Sequence, residues 1–569
     1  MKAKLLALAL VSSLVLCSCA SNTETTQNKK TVLPWMKKVE CVRSSVDTPA
    51  TITLENLSLA QNTTGCYGSD KNFCNIRMYQ IMVESFKHGE NGASGYTSAW
   101  GPSKHDGNLR GIIDSLDYIK STGVNAIWLT PIFETKEIQG QDASFNKLDG
   151  TGYFTSDYFA IDPKFGTKKE LIELVYKAHS KGMYVMLDGV FGHAKVNMPE
   201  KSPKGNTVVF DKNCRQLLGY KEKLSLQYGT CFDVEKSLPY LKEIAEFWIN
   251  EVKIDGYRLD QAYNLDGKAW KEIQKSVEKA SKNKKNAYKL NGKKVQPLGY
   301  MVAEYWTDKA EPIEMNVFKE NVPISVFDFP TRAKILQTFA IKDTTCSLKA
   351  TALNDALLVH NTYTQPAFLN SFLSNHDVLR LGDAMQRAGY EQDGQKGETY
   401  YDAHRAALSF IASLSGPLTL YYGDEYGDDL LGFVKEPGNC GDVDRCDDHV
   451  SRTQGKTDSL NQDELALKED VAKMLSLRDS HPALERGTRT HIYSDDTLYV
   501  DLKESGKDKV IYVLNVGLKD RKLSFSNDAL GKLNLENCTF ENLITNESVN
   551  PNELNIKRLS GSFFKPICK

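Results

Sequence analysis

Four short segments share one pattern, an apolar run that ends in polar or charged residues. They are YVMLDGVFGH (184–193), IDGYRLD (254–260), YMVAEYW (300–306) and FLNSFLSNHD (368–377). Each predicts a buried parallel strand that delivers charge at its C-terminal end, because strands covered on both faces read as continuous apolar runs. Stretches of helical spacing lie between such strands: LRGIIDSLDYIKSTG (109–123), KKELIELVYKAHSKG (168–182) and LPYLKEIAEFWINEV (238–252). Further apolar runs at 76–86, 124–133, 324–330 and 416–425 complete a set of eight strands. Strand and helix alternate from about residue 76 to 480, which predicts parallel βα units closed into a (β/α)8 TIM barrel.

Two stretches break the pattern. After His193 come roughly fifty residues rich in Lys, Asn, Gly and Pro, with Cys214 and Cys231 among them. A structureless loop of that length is improbable in a compact domain. It reads as an inserted subdomain, 191–237, between barrel parts 76–190 and 238–484. From residue 485 the helices stop, and alternating runs such as TLYVDL (497–502) and KVIYVLNV (509–516) predict a C-terminal antiparallel β-sandwich, 485–569. Within the N-terminal segment 20–75, TITLENLSL (51–59) is either a strand partner for another sheet or part of a small module.

The length of 569 residues fits two or three domains. A formal net charge of −2 supplies no basic excess for a phosphate backbone, so nucleic acid is not an expected partner. The N-terminus reads as an address. Lys2 and Lys4 precede an apolar run from Leu5 to Leu16, too short to span a membrane. It ends in LCSC (16–19), which resembles a bacterial lipobox. That resemblance implies cleavage before Cys19, a lipid on Cys19, and anchoring to the cell envelope at the outer membrane or periplasmic face. Ten further cysteines in an exported chain predict five disulfides. Proximity pairs Cys66–Cys74, Cys214–Cys231, Cys440–Cys446 and Cys538–Cys568, leaving Cys41–Cys346; connectivity does not follow from sequence.

Three carboxylates, Asp260, Glu304 and Asp377, stand at three predicted strand ends, where a (β/α)8 barrel builds its active site. Paired carboxylates flanking a bond are the chemistry of glycoside hydrolysis. DGVFGH, GYRLD, VAEYW and SNHD, in this order, resemble the four motifs of the α-amylase family of glycoside hydrolases. GYFTSDYFAIDPKFGT (152–167) is similar to the family's segment before the third strand, and PLTLYYGDE to its eighth strand. The resemblance implies a retaining α-glucoside hydrolase acting on α-1,4-glucans or maltooligosaccharides. It implies Asp260 as nucleophile, Glu304 as acid/base and Asp377 as the third catalytic carboxylate. It further implies substrate contacts from Tyr153, His193, Arg258, His376 and Arg380, and support of Arg258 by Asp188. Glu304 must hold its proton near neutral pH, which burial favours. Trp306 is expected to serve packing.

Two departures qualify the likeness. Many endo-acting relatives follow the nucleophile with a Lys-His pair that grips the sugar beyond the cleavage point; Tyr263 and Asn264 stand here. That brings forward an exo-acting α-glucosidase or a glucanotransferase on short oligosaccharides. The first motif usually places an Asn before its His as a calcium ligand, and here it is Gly192. Calcium is therefore possible but its usual ligand is missing, and no other cofactor is expected. Two non-enzymatic readings, a carbohydrate-binding family relative and a glycan-capturing surface lipoprotein, are set against the presence of all three carboxylates.

Overall fold

The computed structural model describes residues 50–569 apart from 56, 70, 98–101, 140, 142–145, 213, 215–228, 341–348, 393–394 and 431–450. Eight parallel strands close into a barrel: β1 (Arg77–Ile81), β2 (Ala126–Leu129), β3 (Tyr184–Gly189), β4 (Gly256–Leu259), β5 (Tyr300–Ala303), β6 (Ser325–Phe327), β7 (Leu369–Phe372) and β8 (Leu418–Tyr421). Each strand pairs with its neighbours in chain order, and β8 closes on β1 with Leu418 opposite Arg77. Large side chains fill the barrel's interior, including Met78, Trp128, Met186, Val302, Phe327 and Phe372. A second, larger core lies between the strands and their helices. This is why the strands read as unbroken apolar runs.

The helices start where side chains can cap them. Thr167 and Glu170 form a capping box at Lys168–Ser180, Asp266 caps Gly267–Ser281, and Asn461 with Glu464 caps Gln462–Ser480. The helix predicted from residue 238 begins earlier, at Val234, because Asp233 accepts a hydrogen bond from the Lys236 amide; Pro239 lies inside it. The helix predicted over 109–123 divides into Leu109–Asp114 and Leu116–Ser121. At the break, the Ser115 hydroxyl bonds back to the Gly111 carbonyl.

After β3, His193–Lys195 pairs with Gly229–Cys231 across the insertion, and Cys214–Cys231 closes it. A sandwich follows the barrel. One sheet of seven strands includes Thr488–Ser494, Leu498–Ser505, Asp508–Asn515 and Ser560–Cys568; a three-stranded sheet includes Arg521–Phe525 and Leu554–Ile556. Their facing side chains, such as Val500, Val513, Leu523 and Phe540, form a separate core. The open question over residues 51–59 resolves as strand pairing. Thr51–Leu54 adds to Arg521–Phe525 in parallel, and Ala60–Asn62 adds to Thr488–Ser494. Cys66–Cys74, Cys214–Cys231 and Cys538–Cys568 are bonded as expected. The expected Cys440–Cys446 and Cys41–Cys346 pairs, and Cys19, lie outside the described residues.

Candidate active site

Register brings the site together. Arg258 on β4 lies opposite Asp188 on β3, and Leu259 lies opposite Ala303 on β5. Asp260 and Glu304, each one residue further, therefore leave adjacent strand ends on the same side of the barrel. Close passage of β4 against β5 needs Gly256, where a Cβ would stand 1.8 Å from the Tyr300 carbonyl oxygen.

One guanidinium holds three carboxylates. Arg258 Nη1 is 2.9 Å from Asp188 Oδ1 and 2.9 Å from Asp260 Oδ1, while Nη2 is 2.8 Å from Glu304 Oε2. All four side chains are buried. The amide of Gln261 donates to Glu304 Oε2 at 3.0 Å from a left-handed backbone (φ 39°), an unusual conformation of the kind that clusters at functional sites. The other oxygens, Asp260 Oδ2 and Glu304 Oε1, are buried without a hydrogen-bond partner. Asp260 and Glu304 thus each have one anchored oxygen and one without a hydrogen-bond partner, whereas both oxygens of Asp188 are bonded. Buried polar atoms without partners are rare, and a catalytic role is one reason for a fold to keep them.

Tyr153 and His376 form the adjoining wall. Their rings stack at 5.2 Å with 4° between planes, and the Tyr153 hydroxyl lies 2.6 Å from His376 Nε2 and donates to Asp188 Oδ2 at 2.8 Å. Trp128 Nε1 also donates to Asp188 Oδ2. His193 donates Nε2–H to the Tyr153 carbonyl and turns Nδ1 towards Asp260 Oδ2 at 4.0 Å. Asp377 is the carboxylate that meets solvent, with 22% of its side chain exposed. Arg452 Nη2 binds its Oδ1 at 2.8 Å, and Arg452 Nε binds the His376 carbonyl.

The electrostatics follow from this packing. Burial pushes the Asp188 and Asp260 carboxyls up to about 7, with Arg258 opposing. Burial also raises Glu304, again against Arg258. One guanidinium cannot offset three buried carboxylates, so the site retains protons to near neutrality. Asp377 goes the other way. Burial would raise it, but neighbouring positive charge holds it below the ordinary carboxylate range. At neutral pH that charge is Arg452 and Arg258, because burial depresses His376 to about 3 and leaves it neutral. Burial likewise depresses His193 to about 4.

The structure brings together Tyr153, Asp188, His193, Arg258, Asp260, Glu304, His376 and Asp377. It does not bring Arg380, which the resemblance placed among the substrate contacts. Arg380 is fully buried, donates to the Tyr422 and Ser451 carbonyls and the Thr453 hydroxyl, and packs over Tyr421 and Tyr422. It ties β8 to the following segment. Trp306 also differs from expectation. It stacks on Phe329 with ring centroids 6.3 Å apart, yet 50% of it is exposed, and Tyr263 is 51% exposed. Arg452 had no motif to mark it, since it lies 75 residues from its partner and only the fold joins them.

At the usual calcium position Gly192 has no side chain to offer, and Asn264 packs against it. A Cβ at Gly192 would stand 2.9 Å from Asn264 Cβ and Nδ2, so the Asn264 side chain fills the space an Asn at 192 would use. Among the described residues no group of three His, Cys, Asp or Glu side chains is arranged to hold a metal.

Barrel, strand-end carboxylates and shared arginine define a class of carbohydrate-cleaving enzyme, and comparison with known proteins agrees. The chain matches the model of the alpha-amylase catalytic domain over residues 80–206 and 230–484, and it belongs to the α-amylase family of glycoside hydrolases. It is 29% identical over 487 residues to a cyclomaltodextrinase of Geobacillus thermopakistaniensis, covering 80% of this chain and 71% of that one. It is 27% identical over 488 residues to a maltogenic alpha-amylase of Bacillus acidopullulyticus, covering 79% and 71%. Among solved structures, AmyP in complex with maltose superposes with a TM-score of 0.78 at 39% identity, covering 87% of this chain and 96% of AmyP.

Proposed function

We propose that this chain is a retaining hydrolase of α-1,4-linked maltooligosaccharides. The observation that carries the reading is the pair of free oxygens, Asp260 Oδ2 and Glu304 Oε1, on carboxylates anchored to one arginine. A glucosyl unit seated against Tyr153 and His376 would present its anomeric carbon to Asp260 and its leaving oxygen to Glu304. Asp260 attacks as the bond to the leaving oxygen breaks, and Glu304 gives that oxygen its proton. Glu304 then removes a proton from water, whose oxygen displaces Asp260. Positive charge developing on the sugar ring favours ionised Asp260, so proton and charge separate onto the two carboxylates as reaction proceeds. Asp377, held ionised by Arg452, would receive ring hydroxyls.

Several observations support short α-glucans. The relatives are named for cyclomaltodextrins and maltose, and AmyP was solved with maltose and, as a glutamate-to-glutamine variant, with maltotriose. Tyr263 and Trp306 offer half-exposed aromatic faces on the loops that carry Asp260 and Glu304, suited to stacking on sugar rings. Incubation with maltose, maltoheptaose, isomaltose, trehalose, sucrose and starch, with products resolved by chain length and anomer, tests the reading. We expect maltoheptaose to be cleaved faster than starch, with α-anomers released first. Release of β-anomers would refute retention; products longer than the substrate would make the enzyme a glucanotransferase; no turnover of any of them would return it to a binding role.

The N-terminal reading stands beside this as a proposal, in which Cys19 becomes the lipidated first residue of an envelope-anchored enzyme. Mass analysis of the mature N-terminus is expected to find a diacylated Cys19, and an unmodified chain starting elsewhere would overturn it.

A further inference from the structure

The face of the barrel opposite the active site carries one concentrated charge. Between Lys282 and Lys294 the chain reads KNKKNAYKLNGKK, six lysines and no acid in a protein of net charge −2. All six lysines are exposed. Lys282 pairs with Glu278; Lys284, Lys285, Lys289, Lys293 and Lys294 make no ion pair among the described residues. The segment is ordered by its neighbours. Tyr288–Leu290 and Lys293–Val295 form a hairpin. The Tyr288 ring stacks on His179 at 3.7 Å, its hydroxyl binds Asp255, and the Asn291 amide binds the His179 carbonyl.

Topology fixes the direction this hairpin faces. It links the helix Gly267–Ser281 to the start of β5, so it lies at the N-terminal ends of the strands. The catalytic side chains stand at the C-terminal ends. Lys289, Lys293 and Lys294 on the hairpin and Lys284 and Lys285 on the turn before it share one exposed segment, and among the described residues no acidic side chain pairs with them. An external anionic surface would.

We propose that the Lys282–Lys294 hairpin docks on an anionic phospholipid bilayer, which holds the enzyme with its active site turned away from the membrane. The proposal deepens the lipid-anchor reading of Cys19. A lipid anchor holds the chain at the bilayer, and a basic patch adds electrostatic attraction to its anionic surface. The residues between Cys19 and the first described residue permit a span of up to ~100 Å.

The test uses the chain from Ala20 onward, which keeps every described residue and lacks the lipidation site, so its outcome is independent of whether Cys19 is modified. Co-sedimentation is measured with vesicles of phosphatidylcholine containing none, one-fifth or two-fifths phosphatidylglycerol. Binding should rise with phosphatidylglycerol and fall as salt shortens the screening length. Combining Lys284→Glu, Lys285→Glu, Lys293→Glu and Lys294→Glu should weaken it at least about tenfold, since each basic residue near such a surface contributes up to about fivefold. The melting curve and maltoheptaose hydrolysis should not change. Equal binding to neutral vesicles, or equal binding by the variant, would overturn the proposal. Binding to soluble heparin without binding to vesicles would also overturn it, in favour of a soluble polyanion.

Discussion

Asp260→Ala and Glu304→Ala should each lower hydrolysis of an unactivated maltooligosaccharide by roughly 10⁴-fold, and should then part company on an aryl α-glucoside. An activated aryl leaving group needs no proton, so the Glu304 variant should still form the covalent intermediate and stall there, because releasing it requires a base. Azide needs no base. It should restore turnover of the Glu304 variant and yield the α-glucosyl azide, with configuration retained. The Asp260 variant has no nucleophile, and any azide adduct it forms should be the inverted β-anomer. The geometry makes this contrast meaningful, because both carboxylates share Arg258 and burial raises both. Resting protonation alone does not assign their roles. Identical behaviour of the two variants with azide would show that the assignment to nucleophile and acid is wrong.

Arg258→Leu should be the most destabilising substitution in the site, and its cost should depend on pH. Removing one partner from a buried ionic group costs about 3–5 kcal/mol, because the remaining charge stays buried without compensation. Here three carboxylates would be left. Asp188 and Asp260 have folded-state values near 7, above their unfolded values. Groups raised in this way favour folding while protonated, and that contribution is lost as pH rises from about 4 through about 7. Arg258 opposes the loss. Thermal unfolding of the variant should therefore show a small deficit at pH 5 and a large one at pH 8. Asp260→Asn should have the opposite sign, matching wild type in stability only below about pH 4 and exceeding it by a margin that grows up to pH 8, while activity is lost. An Arg258→Leu deficit equal at both pH values would mean lost packing rather than uncompensated charge. An Asp260→Asn variant less stable than wild type at pH 8 would contradict the raised carboxyl.

Strand-end chemistry was legible before the fold because it is local. Arg258 and Asp260 are two residues apart on one strand, so the pleat alone directs both to the same side. Asp188, Glu304 and Asp377 were found because each ends an apolar run. The positions misread or missed depend on partners far along the chain. Arg380 follows the SNHD motif closely enough to resemble a substrate contact, yet carbonyls of Tyr422 and Ser451 claim its donors. Arg452 looked like any arginine until the fold set its guanidinium against Asp377. Trp306 was read as packing because an aromatic beside a buried strand usually is; burial of one face against Phe329 and exposure of the other arise only when β5 and β6 are set side by side.

The sequence by itself determined the barrel, the sandwich and the residue types at the strand ends, because periodicity and motif order are properties of neighbouring residues. It also determined that the site would lack an Asn before His193. Tertiary structure alone decided that 51–62 belongs to the C-terminal sheets, that Asn264 fills the space beside Gly192, and that one guanidinium serves three carboxylates. Those outcomes depend on strand register and on which surfaces exclude water. Both emerge when distant segments pack, and the energy of a buried charge is set by that packing, not by the residues beside it in the chain.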